Sequence, residues 1–492
     1  MANGIRSSAS DILRLAFISR FLILTLIVLF RFLFDPYDTS AALNPPCHHL
    51  AGTPPPRSPL LWPRVAAAIE QCVVWDSVYF VRIAECGYEY EQTFAFLPLL
   101  PAATSLLSRS VLAPLVPVIG CKAVLALAGY VINNVAFIFA ALYFYRLSVL
   151  ILKDYKAAFL ASVLFCFNPA SVFYSSIYSE SLYALFSLGG IYYVFSGSNT
   201  LAMLLLAVSG SARSNGTLNA GYFMFLTLVK VYEAGSQNRK IKAVKAIVDG
   251  TLYSICIFIP YVAFQAYGYS NICKGGSLDE LRPWCKARIP HLYAFLQSHY
   301  WGVGFFRYFQ VKQLPNFLLA SPILTLAVCS ISKYAKSLPQ VVQALVVRQG
   351  NNPPFSDVTS TTSTAKDGIS IKNSKGGSVV KQRRKENGDE VQKDLKPISQ
   401  GTIFKTNQGY YNVMVLPFIL HLGFLTFTAF FVMHVQVSTR FLSASPPIYW
   451  FASYTMLSPD RNLAKWGYLI SAYFILYILL GSLLFSNFYP FT

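Results

Sequence analysis

Residues 15–34 read LAFISRFLILTLIVLFRFLF, an apolar run with no acidic residue. Roughly 20 residues are enough for a helix to cross the ~30 Å hydrocarbon core of a bilayer. A short segment carrying Arg6 and Arg14 precedes the run, and no small-residue cleavage site follows it. It is therefore expected to stay in the protein as a signal anchor. Comparable runs lie at 121–147, 157–176, 178–197, 199–212, 217–233, 246–267, 316–332, 409–433, 446–459 and 466–486, of which 199–212 is short and 446–459 is weak. The stretch 94–120 is also apolar but is broken by Pro98, Pro101, Pro114 and Pro117. A re-entrant or interfacial placement is expected there, because irregular backbone facing lipid leaves polar groups unsatisfied. The pattern predicts an all-α polytopic membrane protein, a bundle of roughly 9–12 transmembrane helices.

Composition agrees. Of the 492 residues 54% are hydrophobic and only 12% charged, where a soluble domain carries roughly a quarter charged residues. The 15% aromatic content, mostly Phe and Tyr, suits membrane interfaces and sugar-binding surfaces. The net charge of +19 is dispersed among apolar segments or gathered in one loop. No basic stripe with interleaved aromatics appears, so nucleic acid is excluded as a partner. The nine cysteines form no CxxC and no Cys/His cluster, which argues against structural zinc. No P-loop, GxSxG or HExxH is present, so nucleotide-driven pumps and hydrolases of those classes lack support.

Loop charge orients the chain. With the N-terminus cytosolic, the basic connections Arg146/Lys153/Lys156, Lys230/Arg239/Lys240/Lys242/Lys245 and Arg461/Lys465 all fall on the cytosolic side, as the positive-inside rule expects. The expected organisation is a cytosolic N-terminus and first helix (1–34), a first lumenal loop (35–120) and helices over 121–267. A second lumenal loop (268–315), a helix (316–332), a cytosolic loop (333–408) and C-terminal helices (409–492) follow. Residues 345–402 are rich in Ser, Thr, Asn, Lys and Gly. They are expected to be disordered, since they cannot bury enough apolar surface to fold.

The first lumenal loop holds the most informative residues, Val74-Trp75-Asp76-Ser77-Val78-Tyr79-Phe80, then Arg82-Ile83-Ala84-Glu85-Cys86-Gly87-Tyr88 and Gln92-Thr93-Phe94-Ala95-Phe96-Leu97-Pro98. A carboxylate beside a tryptophan just outside a membrane suits glycosyl transfer: the ring offers a sugar face, and the carboxylate takes a proton from an attacking hydroxyl. If 75–85 is helical, Asp76, Tyr79 and Arg82–Ile83 share a face. The competing reading makes Trp75 an interfacial anchor and Asp76 a helix cap or a partner for Arg82. Glu180 opens a span and is either a cavity-facing charge or an N-terminal cap. Arg213 and Arg440 are either forks for a phosphate or anchors snorkelling to headgroups. His434 is either a charge stabiliser or a structural histidine, and Asn168-Pro169 either ends a helix or joins the site. Asn215-Gly216-Thr217 matches a glycosylation acceptor but lies too close to the bilayer to be modified. Cys273 and Cys285 share a lumenal loop, where a disulfide is plausible; nothing pairs Cys47, Cys72 and Cys86.

The run Trp75-Asp76, Tyr79-Phe80, Ile83-Ala84, Gly87-Tyr88, Phe94-Ala95-Phe96, Pro98 resembles the first lumenal loop of the GPI mannosyltransferase 2 (PIG-V) family. That family is placed in the GT-C superfamily of polyprenyl-phosphate-dependent glycosyltransferases. Four further blocks resemble it in order: Asn168-Pro169-Ala170 with Tyr178-Ser179-Glu180, Ala212-Arg213-Ser214-Asn215-Gly216, residues 300–317 including Arg307, and His434-Val435-Gln436-Val437-Ser438-Thr439-Arg440. Val74 departs from the pattern, where a histidine is expected in many members.

The resemblance implies a GT-C-type bundle in the endoplasmic reticulum membrane with its active site formed by lumenal loops. It implies dolichol-phosphate mannose as donor and a mannosyl-glucosaminyl-(acyl)phosphatidylinositol as acceptor, giving an α1,6-linked second mannose with inversion. Asp76 is then the expected base, Trp75 packs the substrate, and Arg82, Arg213, Arg307, Arg440, His434 and Glu180 are candidates for binding substrate and phosphate. No metal or cofactor is expected, since no DxD motif is evident. Lipids and a small accessory membrane subunit are possible partners. A transporter or scramblase, a non-catalytic glycosyltransferase subunit, and a related mannosyltransferase with another acceptor are the rival readings.

Overall fold

A computed structural model describes residues 2–37, 47, 60–274, 282–348 and 409–491. The described residues form helices, 3-10 turns and connecting loops, with no strand among them. In chain order the helices are α1 (Ala2–Leu33), α2 (Pro63–Gln71), α3 (Ser77–Cys86), α4 (Leu99–Arg109), α5 (Val116–Ile119), α6 (Cys121–Leu152), α7 (Tyr155–Cys166), α8 (Ser171–Ser175) and α9 (Glu180–Phe195). They continue as α10 (Asn199–Ala212), α11 (Ala220–Ser236), α12 (Lys240–Cys273), α13 (Leu292–His299), α14 (Leu314–Arg348), α15 (Leu416–Phe431), α16 (Ser438–Leu442), α17 (Pro446–Leu457) and α18 (Arg461–Ser486). Among them six are long and apolar enough to cross a membrane, or seven if the bent pair α4–α5 counts as one span. The protein is thus all-α and polytopic.

Burial ranks the helices. In α6, which packs against α1, α7 and α9, 56% of the most apolar window is buried; in α12 the share is 17%. A helix that is apolar all round and buried is central, whereas one that is apolar and exposed faces lipid. The small residues Ala126, Gly129, Ala136 and Ala140 of α6 let its neighbours approach closely.

The helices also alternate in direction. Residues at the C-terminal ends of α10, α15 and α18 and at the N-terminal ends of α9 and α14 meet around one cavity. The connections bearing Lys153 and Lys156, between α6 and α7, and Arg239 and Lys240, between α11 and α12, lie at the opposite end of the bundle. The helices α2–α5 pack around the N-terminal turns of α6 at the cavity end. The α4–α5 pair bends by 68°, so the proline-rich stretch does not form a straight span.

Several expected boundaries move. Region 157–176 is not one helix: α7 ends at Cys166, Asn168-Pro169 interrupts it and α8 follows, because proline disfavours helix in the residue before it. The carbonyls freed there are met by Arg20, a residue the sequence reading passed over. Arg20 donates to the carbonyls of Cys166 (3.1 Å) and Ser171 (3.0 Å) and to the Ser175 hydroxyl (3.0 Å), and its guanidinium lies 3.8 Å from the centre of the Phe137 ring. The helix expected at 316–332 instead runs from Leu314 to Arg348. The loop expected from 333, and the disordered stretch expected from 345, therefore begin inside a helix. Lys, Ala, Leu and Gln carry helical propensity past the point where hydropathy falls. The remainder of the 345–402 expectation, from 349 on, lies outside the described residues. The loop expected at 268–315 contains the last turn of α12 and all of α13. Region 409–433 opens with 3-10 turns, and its α-helix begins only at Leu416. The first helix covers Ala2–Leu33, so Arg6 and Arg14 lie within it.

Two disulfides close the loops at the cavity end. Cys273–Cys285 is the expected pair; Cys47–Cys86 is a pairing the sequence left open, with Cys72 free.

Candidate active site

Trp75 and Asp76 lie on a tight turn between buried Val73-Val74 and the first turn of α3. Trp75 takes a left-handed conformation (φ 54°), which costs a non-glycine residue about 1 kcal/mol and is retained where surroundings enforce it. Here the surroundings are the end of α18. The indole N–H donates to the Phe485 carbonyl (3.2 Å), and the ring packs 5.8 Å from that of Phe488.

Asp76 occupies the N-cap position of α3, yet its side chain makes no capping bond. Its backbone is already helical (φ −61°, ψ −19°), whereas a capping carboxylate needs an extended N-cap to reach the next amides. The carboxylate is instead turned into the cavity, 35% exposed, where Oδ2 accepts from Arg440 Nη1 at 3.0 Å. Both competing readings of Asp76, cap and Arg82 partner, therefore fail.

Arg440 comes from α16, next to the 3-10 turn Val435–Val437. Its guanidinium lies 5.4 Å from the Phe173 ring and 5.5 Å from the Tyr178 ring, within cation–π range. Its Nε–H is buried and has no hydrogen-bond partner among the described residues. The Tyr178 hydroxyl accepts from the Asp76 backbone N–H at 3.0 Å, so one tyrosine supports both members of the pair.

A second ion pair lines the same cavity. Glu180, the first residue of α9, is 2% exposed and accepts from Arg213, which ends α10. The positive end of the α9 dipole favours a carboxylate there, and Glu180 Oε2 has no hydrogen-bond partner. The turn after Arg213 requires glycine: a Cβ on Gly216 would stand 2.5 Å from the Ser209 backbone. Asn215 is 7% exposed within this turn. Asp76, Arg440, Glu180 and Arg213 together place two carboxylates and two guanidinium groups around a cavity of about 440 Å³.

His434 lines the cavity as well. Its Nε2 lies 2.6 Å from the Trp301 carbonyl, and its ring stacks on Tyr308 at 4.6 Å. The carbonyl can only accept, so Nε2 carries the proton and Nδ1 is the acceptor in the neutral ring. Burial lowers the His434 pKa from its ordinary value, against the opposing effect of the Trp301 carbonyl.

Two other candidates stand apart. Arg82 pairs with Glu89 at 2.7 Å, and Arg307 is exposed; neither lines the cavity. The helical-face argument placed Arg82 beside Asp76, but Asp76 precedes the helix and turns away from that face. Sequence reasoning gave Tyr178 no role of its own, although it belongs to the Tyr178-Ser179-Glu180 block, and did not single out Glu91. Glu91 accepts from Trp284 Nε1 (2.9 Å) and the Tyr300 hydroxyl (2.7 Å), tying the outer loops together. Among the described residues the cluster with metal-ligand spacing is Cys47, Cys86 and Glu89, and its two thiols are joined in a disulfide.

Known proteins bear on this geometry. The chain is similar to the protein named GPI alpha-1,6-mannosyltransferase 2 of Homo sapiens, 27% identical with 99% of each chain covered. It is also similar to the GPI mannosyltransferase 2 of Drosophila melanogaster, 29% identical over 85% of this chain and 86% of the other. No solved structure matches. The model of the family described as "Mannosyltransferase (PIG-V)" matches residues 9–492, which include both ion pairs and the cavity they line, and the chain belongs to that family.

Proposed function

We propose that this protein transfers the second mannose of the GPI anchor, α1,6-linked, from dolichol-phosphate mannose to the mannosyl-glucosaminyl-(acyl)phosphatidylinositol precursor on the lumenal face of the endoplasmic reticulum. The observation that carries the reading is the Asp76 carboxylate, 3.0 Å from the Arg440 guanidinium in the wall of a polar cavity at one end of a membrane bundle. Two features support the lumenal side. Basic connections gather at the opposite end, the cytosolic one by the positive-inside rule, and both disulfides lie at the cavity end, as in an oxidising compartment.

In this reading the acceptor hydroxyl attacks the anomeric carbon from the face opposite the phosphate. The new C–O bond forms as the bond to the phosphate oxygen breaks, and configuration inverts from β to α. Asp76 takes the hydroxyl proton, and dolichyl phosphate departs with the bonding electron pair. The transition state has oxocarbenium character like that of inverting glycosidases. Arg440, which lines the cavity, receives the phosphate in this reading, and fixed donors aimed at developing charge often supply the largest share of catalysis. Arg213 and His434 are secondary candidates for the same charge. The leaving phosphate is already ionised, so the reaction as proposed requires no general acid.

The test uses microsomes lacking the endogenous second mannosyltransferase, supplied with this protein or Asp76→Ala at matched abundance, with any accessory subunit present. Labelled dolichol-phosphate mannose and the one-mannose precursor are added, and the lipid products are separated. The two-mannose product is expected with wild type alone. Equal conversion by both proteins removes Asp76 from the chemistry. Conversion by neither overturns the acceptor assignment and favours a transporter or scaffold.

A further inference from the structure

A second cavity, distinct from the catalytic one, lies on the bilayer-facing side of the bundle. It is a groove of about 510 Å³ between α14 and α18, with Phe451 and Thr455 of α17 among its lining. Thr325, Cys329, Lys333 and Lys336 line its α14 side, at the spacing of three to four residues that makes one helical face. Trp466 stands opposite on α18, 59% exposed. Most of the surface is apolar, yet two exposed lysines close one end, and exposed Lys465 adjoins Trp466. Among the described residues none of these three lysines enters an ion pair.

Length along α14 places the two ends. Asn316 lines the catalytic cavity, and Ser321 begins the groove. At 1.5 Å per residue, Lys333 and Lys336 lie roughly 26–30 Å from Asn316, a full hydrocarbon thickness, and so reach the opposite interface. The span from Ser321 to Lys333 is roughly 18 Å, close to the ~15 Å depth of a single leaflet. A polyisoprenoid is longer than that, and an uncharged lipid leaves the lysines unmatched.

We infer that this groove binds an anionic glycerophospholipid of the leaflet facing the basic end, its headgroup phosphate at Lys333 and Lys336 and its acyl chains lying along α14 toward Ser321. The chains cover the apolar walls, and the phosphate meets the two ammonium groups as a point charge does. Membrane-surface lysines each contribute about fivefold to binding of anionic lipid, so two together give roughly 30-fold. The inference is independent of the acceptor and donor proposed above.

The experiment is native mass spectrometry of the purified full-length protein, delipidated in detergent and titrated with dioleoylphosphatidylglycerol or dioleoylphosphatidylcholine. Wild type is expected to retain phosphatidylglycerol preferentially. Lys333→Gln/Lys336→Gln should weaken that retention roughly 30-fold, and Cys329→Trp, which fills the groove and keeps both lysines, should weaken it as well. Equal retention of the two lipids by wild type overturns the inference without recourse to any variant. So does wild-type retention by either variant. Competition by glycerol phosphate as effective as that by the lipid shows that the acyl chains contribute nothing, and also overturns it.

Discussion

The Tyr178 hydroxyl is a small group on which the Asp76–Arg440 pair depends, and Tyr178→Phe isolates it. Phe keeps the ring that packs 5.3 Å from Phe173 and 5.4 Å from Phe485, and under Arg440 at 5.5 Å. What is lost is the acceptor 3.0 Å from the Asp76 backbone N–H, at a residue only 3% exposed. A buried N–H left without a partner costs about 1–3 kcal/mol. Where that cost is met by Asp76 shifting relative to Arg440, it appears as a fall in kcat of about 5- to 150-fold, since 1.4 kcal/mol is a factor of ten. KM for either lipid substrate should change much less, because Tyr178 acts through Asp76 and not through a substrate contact of its own. The assay is the microsomal transfer reaction with each lipid substrate varied in turn, together with a melting curve of the purified variant. A kcat within twofold of wild type refutes the reasoning; so does a loss confined to KM.

Arg440→Lys keeps the charge but loses the planar fork and its stacking on Phe173 and Tyr178; mannosyl transfer should fall at least tenfold with little change in melting temperature, as the pair is partly exposed and contributes about 1 kcal/mol or less to stability. Arg20→Ala leaves the carbonyls of Cys166 and Ser171 without a donor and should destabilise the fold by about 3 kcal/mol, read as reduced abundance and a lower melting temperature in detergent. For pH, burial of His434 lowers its folded pKa below the ordinary value of about 6.5. The unfolded chain then binds the extra proton first, so the stability tied to the neutral ring is full above about pH 6.5 and declines as pH falls toward the folded pKa. The melting temperature should drop on acidification across that window, and His434→Gln should reduce the drop; an unchanged slope removes His434 from the effect.

The fold class was legible because its cause is one-dimensional. Apolar runs such as 15–34 and 121–147 must form helices in lipid whatever their neighbours do, and the charges of the connections set their direction. Residues 316–332 mark where that argument stops: hydropathy locates the part of α14 in lipid, whereas helical hydrogen bonding carries the chain on to Arg348. Of the site, the sequence determined the residue types, Trp75-Asp76, Glu180, Arg213, His434 and Arg440, and their assignment to one end of the bundle. It did not determine who pairs with whom. Asp76 is separated from Arg440 by 364 positions and Glu180 from Arg213 by 33; no periodicity links such residues. Asp76 faces the cavity and not Arg82 because Trp75 is held in a left-handed turn by Phe485, at the far end of the chain. Arg20 escaped notice for the same reason: its partners are carbonyls exposed by a break in another helix. Local propensity and hydropathy set which segments cross the membrane; only packing of the crossed helices decides which charges are neutralised by each other and which face the cavity.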